Sequence, residues 1–198
     1  MKQLILASQS PRRQEILEKM GVSFTVCPSQ KEEQIDPNWT PDTLVLQLAK
    51  QKAEDVYARQ KNADCFVIGA DTMVFLHDQP MGKPKSAEQA FQMLQSLSGQ
   101  VHQVKTAVYL KGQACEQGMV CTTKVWFREL SASEIRSYIQ TGEPMDKAGA
   151  YGIQGRGCVF IEKIEGDFFN VMGLPTSVLY GMLKEQNVFQ SLDRERSK

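Results

Sequence analysis

Near its start the chain reads Leu4-Ile5-Leu6-Ala7-Ser8-Gln9-Ser10-Pro11-Arg12-Arg13. Four apolar residues in a row fit a strand buried on both faces. Ser10 followed by Pro11 then gives a helix N-cap and a proline at the first helical position. A strand running straight into a capped helix is the opening of an α/β unit. It also leaves free backbone N–H groups, two hydroxyls and two guanidinium groups at one helix start. A cation there opposes the helix dipole, so two arginines are unfavourable unless they face water or hold an anion such as phosphate. The pattern is no P-loop, because G-x-x-x-x-G-K-[ST] occurs nowhere.

Outward from this unit the alternation continues. Pro11–Met20 has helical spacing at Ile16, Leu17 and Met20 and stops at Gly21; Val22–Cys27 extends again. Residues 28–40 are polar, an exposed loop. Thr40-Pro41 repeats the cap-and-proline start, with Leu44, Val45, Leu48, Ala49, Lys52, Ala53 and Val56 on one helical stripe. Cys65–Ala70 is a buried strand that Thr72–Leu76 prolongs beyond Asp71, and residues 77–85 form a turn-rich loop. Capping boxes at Ser86 and Ser131 open two further helices, the first running to about Leu97 and the second to near Gly142. Between them lie the longest strands, Val101–Leu110 and Val120–Phe127. Cys158–Ile164 and Phe168–Val171 read as a hairpin about Glu165-Gly166, Pro175 begins a last helix, and the terminal residues 194–198 read as frayed. The sum is one α/β domain over residues 1–198: a mixed sheet flanked by helices, in two lobes around a cleft.

Composition narrows the function. The 198 residues are 41% hydrophobic and 23% charged, as in a globular protein. Lys plus Arg (23) equals Asp plus Glu (23), so no overall charge argues for nucleic acid or an anionic membrane. Any cationic site must be local. No apolar run approaches the ~18 residues of a bilayer span, and the N-terminal apolar run is too short for a secretory signal, so the chain reads as cytoplasmic. Five cysteines, none in C-x-x-C spacing, support neither a zinc site nor a disulfide framework.

Beyond the opening run, three places carry chemistry. Asp71 follows a buried strand and either caps a turn or serves as a magnesium ligand or a base for water. In the 28–40 loop, Glu32 and Glu33 are either solvated or, in the case of Glu33, a second carboxylate beside Asp71. Lys52 and Lys83 are ordinary surface lysines taken singly; with Arg13 they suffice to neutralise a triphosphate. The segment 146–157 holds four glycines in nine residues (Gly149, Gly152, Gly155 and Gly157), which indicates tight turns or close approach to a ligand. Within it, Gln154 carries an amide able to read a base edge, since it both donates and accepts.

Taken together, the stretches 4–13, 67–74 (VIGADTMV), 82–84 (GKP), 97–108 (LSGQVHQVKTAV), 146–157 (DKAGAYGIQGRG) and 166–175 (GDFFNVMGLP) resemble, in order, the motifs of the Maf family of nucleotide pyrophosphatases. Residues 146–155 are similar to the branch acting on dTTP and UTP rather than its 7-methyl-GTP sister. The resemblance implies an inosine-triphosphatase-like fold, often dimeric, and hydrolysis of a nucleoside triphosphate to monophosphate and pyrophosphate with a divalent metal (Mg²⁺, Mn²⁺ or Co²⁺). On this likeness Asp71 is the proton acceptor. Ser8, Arg13, Lys52 and Lys83 hold phosphates, and Glu33 assists metal or water together with Asp71. Arg12, Thr72 and Gln154 govern substrate choice. A nucleotide-binding regulator of cell division without catalysis is the alternative.

Overall fold

The alternation read from the first residues becomes one seven-stranded mixed sheet in the computed structural model, which describes residues 2–61 and 64–188. The terminal 194–198 segment, expected to fray, lies outside the described residues. Strand β1 (Gln3–Leu6) leads through α1 (Pro11–Lys19) to the short β2 (Thr25–Val26), and α2 (Pro41–Ala58) returns the chain to β3 (Cys65–Leu76). These three strands are parallel, in the order β2-β1-β3. Parallel neighbours need crossovers, and α1 and α2 supply them on opposite faces. The remainder is antiparallel: β4 (Gln79–Met81), β5 (Val101–Gly112), β6 (Cys115–Phe127) and β7 (Ile161–Glu165). Helices α3 (Ala87–Leu97) and α4 (Ala132–Gln140) follow β4 and β6, while α5 (Phe168–Met172) and α6 (Thr176–Glu185) end the described chain.

Strand alternation sorts the core. Leu4, Leu6, Phe66, Ile68 and Ala70 pack with Ile16 and Leu17 of α1 and with Leu179 and Leu183 of α6. Ile5, Ala7, Cys65 and Val67 point the other way, onto Val45, Leu48, Ala49 and Ala53 of α2. Each fully buried Leu, Ile or Val contributes about 1.5–3 kcal/mol. A third cluster forms a second lobe beyond them: Val74, Val104, Val125 and Phe127 from the far ends of the long strands meet α3, α4, Tyr151 and Phe160. The expected two-lobed, helix-flanked mixed sheet is therefore present.

Two segments differ from their sequence reading. The residues after Gly166 are a helical turn, α5, and no hairpin forms there. Asp167 caps that turn by accepting from Phe169 N–H at 2.8 Å, and the Asn170 amide donates to the Val104 carbonyl and Thr123 hydroxyl. Side chains thus make the cross-links that a strand would make through its backbone. The 3₁₀ turn Arg156–Phe160 takes the first half of the expected strand 158–164, leaving only Ile161–Glu165 to pair with β6. In the turn-rich loop, His77 and Asp78 both adopt positive φ (49° and 62°), the two-residue reversal that folds β4 back on β3. Pro80 is tolerated because β4 is an edge.

Inside the second lobe His102 is buried, its Nε2 sharing a 2.7 Å hydrogen bond with the Tyr151 hydroxyl, and its ring stands edge-on to Phe127 and Tyr151. Burial pushes its pKa down from 6.5 to about 4, so the folded ring is neutral where the unfolded one binds a proton. The stability this confers is complete above pH 6.5 and is lost as pH falls towards 4, in total about 3 kcal/mol at 1.36 kcal/mol per pH unit. Urea unfolding of wild type and His102→Phe at pH 7 and pH 4.5 checks this. The wild type should lose roughly 2–3 kcal/mol more than the variant on acidification; equal losses would contradict it.

Candidate functional site

Strand β3 outruns its parallel neighbour. Pairing with β1 ends at Leu6 with Ile68, and pairing with β4 begins only at Val74. Over Gly69–Met73 that edge of the sheet is uncovered, and a cavity of about 450 Å³ opens there between the lobes. The size suits a drug-sized or nucleotide-sized ligand. Side chains from both faces reach the gap. Asp71 continues the Cys65, Val67, Gly69 row beneath α2, while Thr72 continues the Phe66, Ile68, Ala70 row on the side of α1.

On the α2 side, Lys52 lies one turn beyond Leu48 and Ala49 on the stripe that faces the sheet. Its Nζ bridges two carboxylates, Asp71 Oδ1 at 2.5 Å and Glu33 Oε1 at 2.9 Å. That bridge requires a close helix. A Cβ on Gly69 would stand 2.0 Å from the Ala49 carbonyl oxygen and 2.9 Å from Ala53 Cβ, so Gly69, Ala49 and Ala53 together let the α2 backbone rest on β3. Asp71 is buried, and burial raises its pKa above the ordinary aspartate value against the lowering by Lys52 and Arg13. Its Oδ2 is buried and has no hydrogen-bond partner among the described residues.

On the α1 side, Arg13 is half-buried and fixed in three directions. It donates from Nε to the Gly173 carbonyl (2.8 Å) and from its two terminal nitrogens to Ser8 Oγ and Thr72 Oγ1 (3.0 Å each). Thr106 gives its proton to the Asn170 carbonyl at 2.8 Å, so the 3.0 Å Thr72–Thr106 contact has Thr72 as donor and leaves the Thr72 oxygen to accept from Arg13. Of five guanidinium N–H groups, three are committed and two remain. Burial lowers the Arg13 pKa, with Asp71 opposing, and the group stays a cation. Ser8 is not on the cavity wall. Its hydroxyl accepts from Arg13 and from Ser10 N–H at 3.2 Å, so it orients the arginine instead of meeting the cavity.

The remaining candidates ring the mouth. Lys83, exposed after β4, lines the cavity and has no ion pair among the described residues. Arg12 reaches across to Asp146 at 3.1 Å, and Lys147 holds the same carboxylate at 2.6 Å. Gln154 lines the cavity from the glycine-rich turn, with its amide beside Glu15 of α1. Eight of the nine residues singled out from sequence therefore border one cavity, Ser8 being set behind it. Sequence reading gave Gly69 and Gly173 no role and took Asp146 and Lys147 only as part of the 146–157 motif. The small pair Ala49 and Ala53 bracketing Lys52 was the available sign of a close-packed helix.

The donor set bears on a metal. Among the described residues no three His, Cys, Asp or Glu side chains converge. Two carboxylates do, and one has an unpartnered buried oxygen. Oxygen donors of this kind suit a hard divalent cation whose other ligands come from a phosphate chain.

The chain is similar to known proteins over nearly its whole length. Residues 3–186 match the family described as Maf-like protein. The dTTP/UTP pyrophosphatase of Bacillus velezensis is 48% identical over 187 residues, covering 94% of this chain and 98% of the relative. That of Halalkalibacterium halodurans is 50% identical over 184 residues (93% and 96%). Among solved structures, the Ham1 protein of Staphylococcus aureus is similar with a TM-score of 0.55 at 16% identity, over 93% of this chain and all of that one. The last likeness establishes the fold, which is the inosine-triphosphatase-like one.

If Gly69 is what brings Lys52 to Asp71, Gly69→Ala must push α2 outward against backbone. An overpacked contact of this kind costs about 1–3 kcal/mol, several degrees in Tm for a chain of this size. Gly181→Ala, where an added Cβ meets nothing within 4 Å, is the control. Thermal unfolding should show Tm lowered by Gly69→Ala and not by Gly181→Ala; an unchanged Tm in the first would contradict the close-packing assignment.

Proposed function

This chain belongs to the Maf-like family, and from that premise we propose that it hydrolyses dTTP and UTP to the monophosphate and pyrophosphate. One observation carries the reading. A buried carboxylate with a free oxygen, Asp71, stands beside Lys52 in a cavity that Arg12, Arg13 and Lys83 also line. The family match over residues 3–186 and the names of the relatives support it.

A triphosphate brings roughly four negative charges, which cationic groups must offset before an oxygen nucleophile approaches phosphorus. Arg13, with two uncommitted N–H groups, and Lys83, without an ion pair, supply fixed and mobile parts of that charge. Lys52 holds Asp71 by Oδ1, which leaves Oδ2 to accept a proton from water. Its raised pKa moves Asp71 towards the range useful to a general base. The water oxygen then attacks the α-phosphorus, the bond to the bridging oxygen breaks, and pyrophosphate leaves with that electron pair. A divalent cation, which Asp71 and Glu33 would hold together with phosphate oxygens, supplies charge neutralisation and a more acidic water. Gln154 can meet the pyrimidine edge, where a ring N–H lies between two carbonyls, by donating and accepting at once. Arg12 and Thr72 shape the same approach. Arg12 sets the width of the mouth through Asp146, and Thr72 holds Arg13.

The test is product analysis. Purified protein with UTP or dTTP and Mg²⁺ should release pyrophosphate, and Asp71→Asn should lose about 10²–10⁴-fold in kcat while still binding nucleotide. Orthophosphate as first product, or near-wild-type turnover by Asp71→Asn, would contradict the assignment.

A further inference from the structure

The glycine-rich turn has a feature that substrate contact does not require. It is built around one acidic side chain. Glu143 follows Gly142, whose φ of 74° ends the α4 segment, and its carboxylate turns back beneath residues 152–157. Its Oε1 accepts from the Tyr138 hydroxyl at 2.8 Å and from Gly157 N–H at 3.3 Å; its Oε2 accepts from Arg156 N–H at 2.9 Å. The Tyr138 oxygen in turn accepts from Gly152 N–H at 3.2 Å. Both ends of the turn are thus tied to α4 and its C-terminus, and Ile153 and Gln154 form the apex between them.

The glycines follow from this arrangement. A Cβ at Gly155 would lie 2.2 Å from Glu143 Oε1 and 2.5 Å from Oε2, and one at Gly157 would lie 2.8 Å from the Tyr138 hydroxyl. The turn is glycine-rich because it is wrapped tightly on a carboxylate, not because it is loose. Only an acceptor-only group with two oxygens can take two backbone N–H groups and a hydroxyl together. Burial raises the Glu143 pKa, but the bonds from Arg156, Tyr138 and Gly157 and the charge of Lys147 outweigh it, so the group is ionised at neutral pH.

We propose that Glu143 is a positioning residue for base recognition: it fixes the 152–157 turn so that the Gln154 amide meets the base at one place. This rests on the nucleotide reading above. Glu143 acts through the turn and does not touch substrate. A glutamine in its place keeps one acceptor oxygen but sets an NH₂ group against a backbone N–H, so it restores only part of the clamp.

The experiment compares wild type, Glu143→Gln and Glu143→Ala. Steady-state kinetics with UTP, dTTP, CTP and ATP are measured alongside amide hydrogen exchange. In Glu143→Ala the preference for UTP and dTTP over ATP should fall roughly tenfold or more, through KM rather than kcat, with Glu143→Gln in between. Exchange at Arg156 and Gly157 should accelerate while β3 amides stay protected. A purely structural role would lower turnover on all four nucleotides alike and leave the preference intact, which would overturn the proposal. So would unchanged exchange across 152–157. Failure of the wild type to release pyrophosphate from any triphosphate would overturn the nucleotide reading and this inference with it. Hydrolysis with unaltered selectivity in Glu143→Ala overturns this inference alone.

Discussion

A carboxylate taken out of water must find a cation or give up its charge, and Asp71 finds Lys52. That contact depends on main-chain geometry two residues earlier. Because Gly69 has no side chain, α2 sits directly on β3, and the lysine between Ala49 and Ala53 reaches the strand. Because β1 stops at Leu6, the same stretch of β3 is open at its edge. The ion pair is therefore both desolvated by the fold and accessible to a ligand. Lys52 engages Oδ1, and among the described residues Oδ2 is buried without a hydrogen-bond partner.

The opposite wall obeys the same economy of direction. Arg13 is not a free surface cation but a group aimed by Ser8, Thr72 and the Gly173 carbonyl. Thr72 is itself oriented by Thr106 and the helical turn α5. The polar chain from Asn170 to Arg13 runs through the sheet, so α5, remote in sequence, helps to direct a side chain of the first helix. Positions 71 and 72, adjacent in the chain, serve opposite walls because a strand alternates its faces. The second lobe contributes the mouth through Lys83, Asp146 and the turn carrying Gln154.

Much of this was legible beforehand because it rests on local signals. Capping residues at Thr40, Ser86 and Ser131 marked three helices, each observed to accept a backbone N–H at its start. Continuous apolar runs and the Ser-Pro and Thr-Pro helix starts marked the parallel units. The candidate charges were visible as residues that packing would not demand, and the family likeness assigned them roles. What escaped were long-range relations. Asp167 and Asn170 make a helical turn from residues with strand-like character, since their partners Thr123 and Val104 lie far back in the chain. The family resemblance assigns Ser8 to the phosphates, whereas its bond to Arg13 is a relation that appears only in the fold. Gly69 meets Ala49 and Ala53 across the fold, a contact that only the small residues of α2 signalled.

The central claim is that a buried, lysine-held aspartate with one unengaged oxygen is the base of this site. The most direct measurement is the titration of the Asp71 carboxyl carbon by NMR, in the wild type and in Lys52→Met. The wild-type group should titrate above the ordinary aspartate value, and higher again once the lysine charge is removed. An ordinary value in both proteins would contradict the account.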